Sequence, residues 1–342
     1  MADQPARPLQ PDDVVIVSAA RTPVGKFLGA LAPLSATDLG AVAVRAAVQR
    51  AGVAPEAVEN VILGCVLPAG LGMAPARQAA IGAGLPPSVP ALTVNKVCGS
   101  GLAAVALGAA QIRLGEAEVV VAGGMESMSN APHLLPGSRA GHKMGDARLV
   151  DHMLHDGLWC AWEGHHMGNS AEAIAARHGV TREAQDAWSL RSHQRAAAAI
   201  ERGDFREEIV PVEIAGRRPG GGGESSRLAG RRGPTVIDTD ECPRPDTSAA
   251  ALAALRPVFA KDGTVTAGNA SGIADGAAAL VLTSGRRAAE WGLRPLARYV
   301  ASANAALDPL WLFQAPVPTI ERLLQRTETT LDDYDLIELN EA

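Results

Sequence analysis

Cysteine is scarce in this chain: there are four in 342 residues, at Cys65, Cys98, Cys160 and Cys242, with no Cys-x-x-Cys spacing. That scatter supports neither a zinc site nor a secreted disulfide framework. Free thiols suit a reducing cytoplasm, which is the expected location. Positive charge is also short, with 31 Lys and Arg against 37 Asp and Glu and a net charge of −6. This leaves no electrostatic footprint for nucleic acid. Residues 1–13 carry no apolar signal-type core, and no later run is expected to approach the length that spans a bilayer, so no membrane partner is expected. Neither a Gly-x-Gly-x-x-Gly fingerprint nor a P-loop occurs. What remains is a chain 47% hydrophobic and 20% charged, the composition of a soluble globular protein. Its length exceeds one comfortable core, so two or more domains are expected.

Residues 14–18 read as a buried strand and 21–25 as the loop leaving it. Thr37 is expected to cap a helix in which Leu39, Val42, Ala43, Ala46 and Ala47 recur three and four apart until Gly52 ends the run. Strands at 60–66, 91–94 and 118–122 alternate with a short helix at 75–83 and a longer one at 102–114. Such β–α–β alternation predicts a mostly parallel sheet covered by helices. From 125 to 257 Gly, Pro, His and Met become frequent, and the one long amphipathic helix, 181–202, is not followed by a buried strand. A looser subdomain is expected, with residues 217–226 (Arg217, Arg218, then a glycine run) as a solvated surface loop. Strands at 277–283, 296–301 and 335–339 and helices at 284–291 and 317–326 resume the alternation.

The stretch Val94-Asn95-Lys96-Val97-Cys98-Gly99-Ser100-Gly101-Leu102 organises the rest. It places Cys98 between a strand and a helix start, where unsatisfied N–H groups and the helix dipole favour thiolate, the attacking species. The flanking glycines let a substrate approach the sulfur. Local geometry alone leaves open a small buried cysteine at a strand–helix joint. Cys65, after Val61-Ile62-Leu63, reads as a buried strand-end residue. His133, His142, His152, His155 and His165 carry no assignable role.

Residues 95–105 resemble the nucleophilic-cysteine motif of the thiolases, and Val121-Ala122-Gly123-Gly124-Met125-Glu126-Ser127-Met128-Ser129 resembles the block that follows it in that family. His166-Met167-Gly168 with Ala171-Glu172, Gly268-Asn269-Ala270-Ser271-Gly272 with Asp275-Gly276-Ala277, and Asn340-Glu341-Ala342 continue the likeness in the family's order. The resemblance implies an α/β thiolase fold: two similar βαβ-rich halves in a five-layered α/β/α/β/α arrangement with an inserted loop domain. The expected domains are 12–128 with the nucleophile, 129–257 as the loop subdomain contributing to coenzyme A binding, and 258–342 as an incomplete C-terminal half. It implies an acyltransferase in which Cys98 is the nucleophile and Asn340 holds a water at an oxyanion site. The reaction is condensation of two acetyl-CoA to acetoacetyl-CoA and CoA, or the reverse thiolysis. The acyl-CoA neighbours it implies are His166, Met167, Leu158, Arg244, Phe259, Ala270 and Ser271. No metal and no permanently bound cofactor are implied, coenzyme A thioesters are the substrates, and a homodimer or homotetramer is expected.

Two departures leave chain length open: Leu312-Phe313 stand where short-chain members often carry Met-Gly, and Ala251 stands where some CoA sites carry serine. The family's Gly-His-Pro and Cys-x-Gly-Gly-Gly motifs do not occur, so a truncated thiolase is expected, with the apolar faces of 317–324 and 335–339 lacking partners. The alternatives are a 3-ketoacyl-CoA thiolase of longer-chain degradation, a catalytically dead truncated homologue, and a cysteine hydrolase.

Overall fold

A computed structural model describes residues 7–214 and 234–342; the Gly-rich loop expected at 217–226 lies outside the described residues. The chain forms two compact units. One comprises Met1–Asn130, Phe205–Cys242 and Ala274–Tyr299, the other Ala131–Asp204, Pro243–Ile273 and Val300–Ala342. The stretch Ala274–Tyr299, expected within a C-terminal half, therefore belongs to the first unit.

The first unit is built on a seven-stranded sheet. Its strands run in the order Ala297–Tyr299, Val14–Arg21, Ala274–Ser284, Val119–Ser127, Asn60–Gly64, Ala91–Val94, and the short strand Gly25–Lys26 also pairs with Ala274–Ser284. Only the pairs joining Val119–Ser127, Asn60–Gly64 and Ala91–Val94 are parallel. The remaining pairs are antiparallel, so the sheet is mixed rather than mostly parallel. The reason is long-range. Ala274–Ser284 enters between Val14–Arg21 and Val119–Ser127, with Asp275 opposite Ser127 and Thr283 opposite Val119. Alternation along residues 14–122 carries no trace of that insertion.

Because successive side chains of a strand point to opposite faces, the continuous apolar runs feed two layers. Helices α1 (Ala36–Ala51) and α2 (Pro75–Gly82) cover one face, where Val44, Ala47, Ala76 and Ala80 join Val61, Leu63, Val119 and Val121 in one core. Helix α3 (Ser100–Leu114) covers the other, where Ala104, Ala109 and Ile112 join Ile62, Val120, Ala122 and Leu282. The cap of α1 is Ser35, not Thr37. Asp38 N–H donates to the Ser35 hydroxyl, and the Asp38 carboxylate accepts from Ser35 N–H at 3.0 Å, a reciprocal capping box. The 18-residue stretch Val97–Leu114 is long and apolar enough by length and composition to cross a membrane, against the sequence expectation. Here one third of it is buried, its core-side residues on the sheet, while Leu102, Leu107 and Leu114 are exposed.

The second unit contains helices Met167–His178, Arg182–Arg202, Ala249–Ala253 and Pro316–Thr327. Its strands form two-residue ribbons, His133–Leu134 with Val150–Asp151 and Trp159–Cys160 with His165–His166. Among the described residues no larger sheet occurs in it. The strand expected at 335–339 does not form, and Leu336 and Ile337 are exposed. Apolar residues become a strand only by pairing, and no described strand pairs with this segment.

Candidate active site

Cys98 stands in a tight turn between strand Ala91–Val94 and helix α3. Gly99 N–H donates to the Lys96 carbonyl and Ser100 N–H to the Val97 carbonyl, both at 3.1 Å. Gly99 is the N-cap and no side chain bonds into the helix's first turn from it, so α3 presents the kind of N-terminus that favours anions. The seat is close. A Cβ at Gly64 would lie 2.6 Å from Ser100 Cβ, so only glycine lets the helix start rest on the end of strand Asn60–Gly64. Cys98 is exposed, whereas Cys65 and Cys160 are buried. The alternative of a small buried cysteine at this joint is thereby corrected: the turn lifts the thiol to the surface.

The turn is strained. Val97 has φ 48°, an outlier for a β-branched residue costing on the order of 1–3 kcal/mol. Two side chains bracket it. Asn95 Oδ1 accepts from Val97 N–H at 2.9 Å, and Asn95 Nδ2 donates to the Val66 carbonyl at 3.3 Å. The Ser100 hydroxyl accepts from Lys96 N–H at 2.8 Å and donates to the Val97 carbonyl at 2.6 Å.

Cys65 has a different environment. The Glu126 carboxylate accepts from Val66 N–H at 2.8 Å and Leu67 N–H at 3.1 Å, with Cys65 Sγ at 3.6 Å. Burial first, then the Glu126 charge, push the Cys65 thiol up to about 12. It is held as an inert thiol.

In the second unit, His166 stacks on Phe259 with ring centroids 4.7 Å apart and planes 19° from parallel. His166 caps helix Met167–His178, its Nδ1 accepting from Gly168 N–H at 3.0 Å. The neutral ring therefore carries its proton on Nε2. Burial holds its pKa below the ordinary 6.5. A Cβ at Gly168 would lie 2.3 Å from the Phe259 ring, and Asn169 Nδ2 donates to the Phe259 carbonyl at 2.8 Å. The fold thus brings His166, Met167 and Phe259 together. Leu158 ends the π-helical turn Met153–Leu158, one residue before Trp159, which pairs with His166.

Ala270 and Ser271 follow a loop whose polar atoms are almost all matched. Asn269 Oδ1 accepts from Thr266 N–H at 2.7 Å, and its Nδ2 donates to Asp186 at 2.8 Å and the Thr264 carbonyl at 3.1 Å. The Glu172 carboxylate accepts from the N–H groups of Thr264 and Val265 at 2.8 Å. Arg244 is exposed; its guanidinium donates to the Ala267 carbonyl and its backbone N–H to His193 Nδ1, both at 3.2 Å. Burial, then the nearby Arg244 charge, lower the His193 pKa, with Glu341 acting the other way. Asn340 is exposed in an irregular segment, and its neighbour Glu341 accepts from Trp188 Nε1 at 2.9 Å and the Ser192 hydroxyl at 2.5 Å.

Sequence reasoning placed Asn95, Ser100, Glu172 and Asn269 within family-like motifs without giving any of them a role of its own, and did not name Asp186. A signal for one group existed. Arg182, Asp186, Ser189 and His193 recur four, three and four apart, a polar stripe along one helix face. All four bond to the 244–269 segment: Arg182 to the Leu252 carbonyl at 2.6 Å, Asp186 to Asn269, Ser189 to the Gly268 carbonyl at 2.7 Å, His193 to Arg244.

An α/β sheet carrying an exposed cysteine at a helix start agrees with a family match: residues 14–286 fit the model for the thiolase N-terminal domain. The chain belongs to the thiolase family. Among its relatives, an acetyl-CoA acetyltransferase of Cupriavidus necator is 54% identical over 330 residues, covering 96% of this chain and 81% of that protein. An acetyl-CoA acetyltransferase of Pseudomonas aeruginosa is 52% identical, with the same coverage. The crystal structure of the Bacillus anthracis acetyl-CoA acetyltransferase superposes with a TM-score of 0.90 at 41% identity, covering 96% of this chain and 80% of that one.

Proposed function

We propose that this chain is an acetyl-CoA C-acetyltransferase in which Cys98 carries the acetyl group. The observation that carries the reading is the exposed Cys98 at the start of α3, in a turn held against its own strain. The names of the relatives support the same substrate.

In the first half-reaction the Cys98 thiolate adds to the thioester carbonyl of acetyl-CoA. The tetrahedral adduct collapses, the CoA thiolate leaves, and acetyl-Cys98 remains. In the second, a base takes an α-proton from another acetyl-CoA and the carbanion attacks the acetyl carbonyl. The Cys98 thiolate then leaves, giving acetoacetyl-CoA; thiolysis runs these steps backwards. His166, Met167, Leu158, Arg244, Phe259, Ala270 and Ser271 are proposed to hold the CoA thioester, and Asn340 to order a water at the enolate oxygen. His166 would do so as a neutral Nε2–H donor. The acylation half uses groups this sequence contains; the family's Cys-x-Gly-Gly-Gly motif, to which the resemblance assigns a second cysteine for proton transfer, does not occur in the 342 residues. A cytoplasmic location, which free thiols would suit, and a homodimer or homotetramer are part of the proposal, the oligomer to be read by sedimentation.

The test measures the two halves apart: CoA release on mixing with acetyl-CoA, then acetoacetyl-CoA thiolysis. Stoichiometric CoA release that Cys98→Ala abolishes is expected. No release at all would overturn the reading in favour of a non-catalytic chain, release that persists in Cys98→Ala in favour of another nucleophile, and continuous hydrolysis without a CoA acceptor in favour of a hydrolase.

A further inference from the structure

We propose that Asn95 and Ser100 are positioning residues which hold Val97 in its left-handed conformation and thereby aim the Cys98 sulfur; this rests on Cys98 being the acetyl acceptor. Val97 is bonded on both sides of its Cα. Its N–H donates to Asn95 Oδ1 at 2.9 Å, and its carbonyl accepts the Ser100 hydroxyl at 2.6 Å as well as Ser100 N–H at 3.1 Å. A free valine at φ 48° relaxes to negative φ, and that rotation swings the peptide leading into Cys98. The two side chains oppose it from fixed anchors. Asn95 Nδ2 is tied to the Val66 carbonyl, and Val66 N–H is tied to Glu126 on the central strand Val119–Ser127. Ser100 is 4% exposed and abuts Gly64 at the end of a sheet strand. The reactive turn is thus coupled to the central sheet of the unit, the kind of support that holds a reacting atom within a fraction of an ångström. Strain supported from both sides is the mark of a geometry kept for use.

The experiment compares the native sequence with Asn95→Ala, Ser100→Ala and Asn95→Asp, following acetylation of Cys98 by acetyl-CoA and its alkylation by iodoacetamide in the folded protein. Acetylation needs aim, whereas alkylation of an exposed thiol by a small reagent needs mainly access. Both alanine variants are expected to acetylate about tenfold more slowly or worse, while alkylation changes by less than about threefold. Asn95→Asp keeps the acceptor for Val97 N–H but loses the Nδ2 anchor on the Val66 carbonyl, so it is expected to recover part of the lost rate. Buried Cys65 stays unlabelled throughout, which a generally loosened fold would not allow. Native-like acetylation in both alanine variants, failure of the aspartate to rescue, or labelling of Cys65 in step with the loss would overturn the proposal. Absence of acetylation in the native sequence would instead overturn the assignment of Cys98, and this inference with it.

Discussion

Three of the four cysteines have their accessibility fixed by neighbours that sequence spacing does not reveal. Cys65 is buried beside Glu126 with its thiol raised to about 12, Cys160 is buried, and Cys98 is exposed. Peptide mass spectrometry after brief iodoacetamide treatment is expected to find Cys98 labelled first; earlier labelling of Cys65, Cys160 or Cys242 would contradict the geometry. His166 gives a second prediction. Its folded pKa lies below 6.5 because of burial, so between 6.5 and that lower value the unfolded chain binds more protons than the folded one. The stabilisation is present above pH 6.5 and lost as pH falls through the folded pKa. Carbon-detected NMR should show the ring titrating below 6.5, with the Nε2–H tautomer above it. A midpoint at or above 6.5 would remove the buried, neutral cap.

Helices and strands were legible where their signal is local. The 3–4 spacing of α1, the strand Ala91–Val94 and the glycine-flanked Cys98 could all be read from neighbouring residues. The α1 cap is also written locally, as Ser35 and Asp38 three apart, with Thr37 a competing cap residue two positions on. Ser35→Ala is expected to cost about 1 kcal/mol by chemical denaturation, while Thr37→Ala costs distinctly less. Equal losses would argue against the box. What could not be read was non-local. The insertion of Ala274–Ser284 between strands about 150 and 250 residues earlier in the chain depends on pairing that no window of sequence contains. The apolar segment 335–339 carried strand-like residues but has no described neighbour to pair with. Likewise Asp186, paired locally with Arg182 one helical turn away at 2.7 Å, matters for the loop only because folding brings Asn269 to it at 2.8 Å. Asp186→Ala would take one acceptor from each partner in a mostly buried place and is expected to cost about 1–3 kcal/mol, faster amide exchange appearing first in 264–270. Unchanged exchange there would show that the helix does not hold the loop.

For the molecule as a whole, a net charge of −6 offers a polyanionic substrate no general attraction. Affinity for CoA must come from fixed local contacts. Ser271→Tyr and Arg244→Ala are expected to weaken CoA binding several-fold in calorimetric titration, the second more at low salt, since Arg244 is exposed and screened. Unchanged affinity in both would move the CoA site elsewhere. The central claim remains that one exposed cysteine, aimed by a strained and braced turn at a helix start, accepts an acetyl group. The most direct measurement mixes the chain with excess acetyl-CoA, quenches in acid and maps acetylated peptides by mass spectrometry. The account expects one acetyl group per chain, on Cys98, removed on adding free CoA. Acetylation confined to lysines or to another cysteine, or no transfer at all, would contradict it.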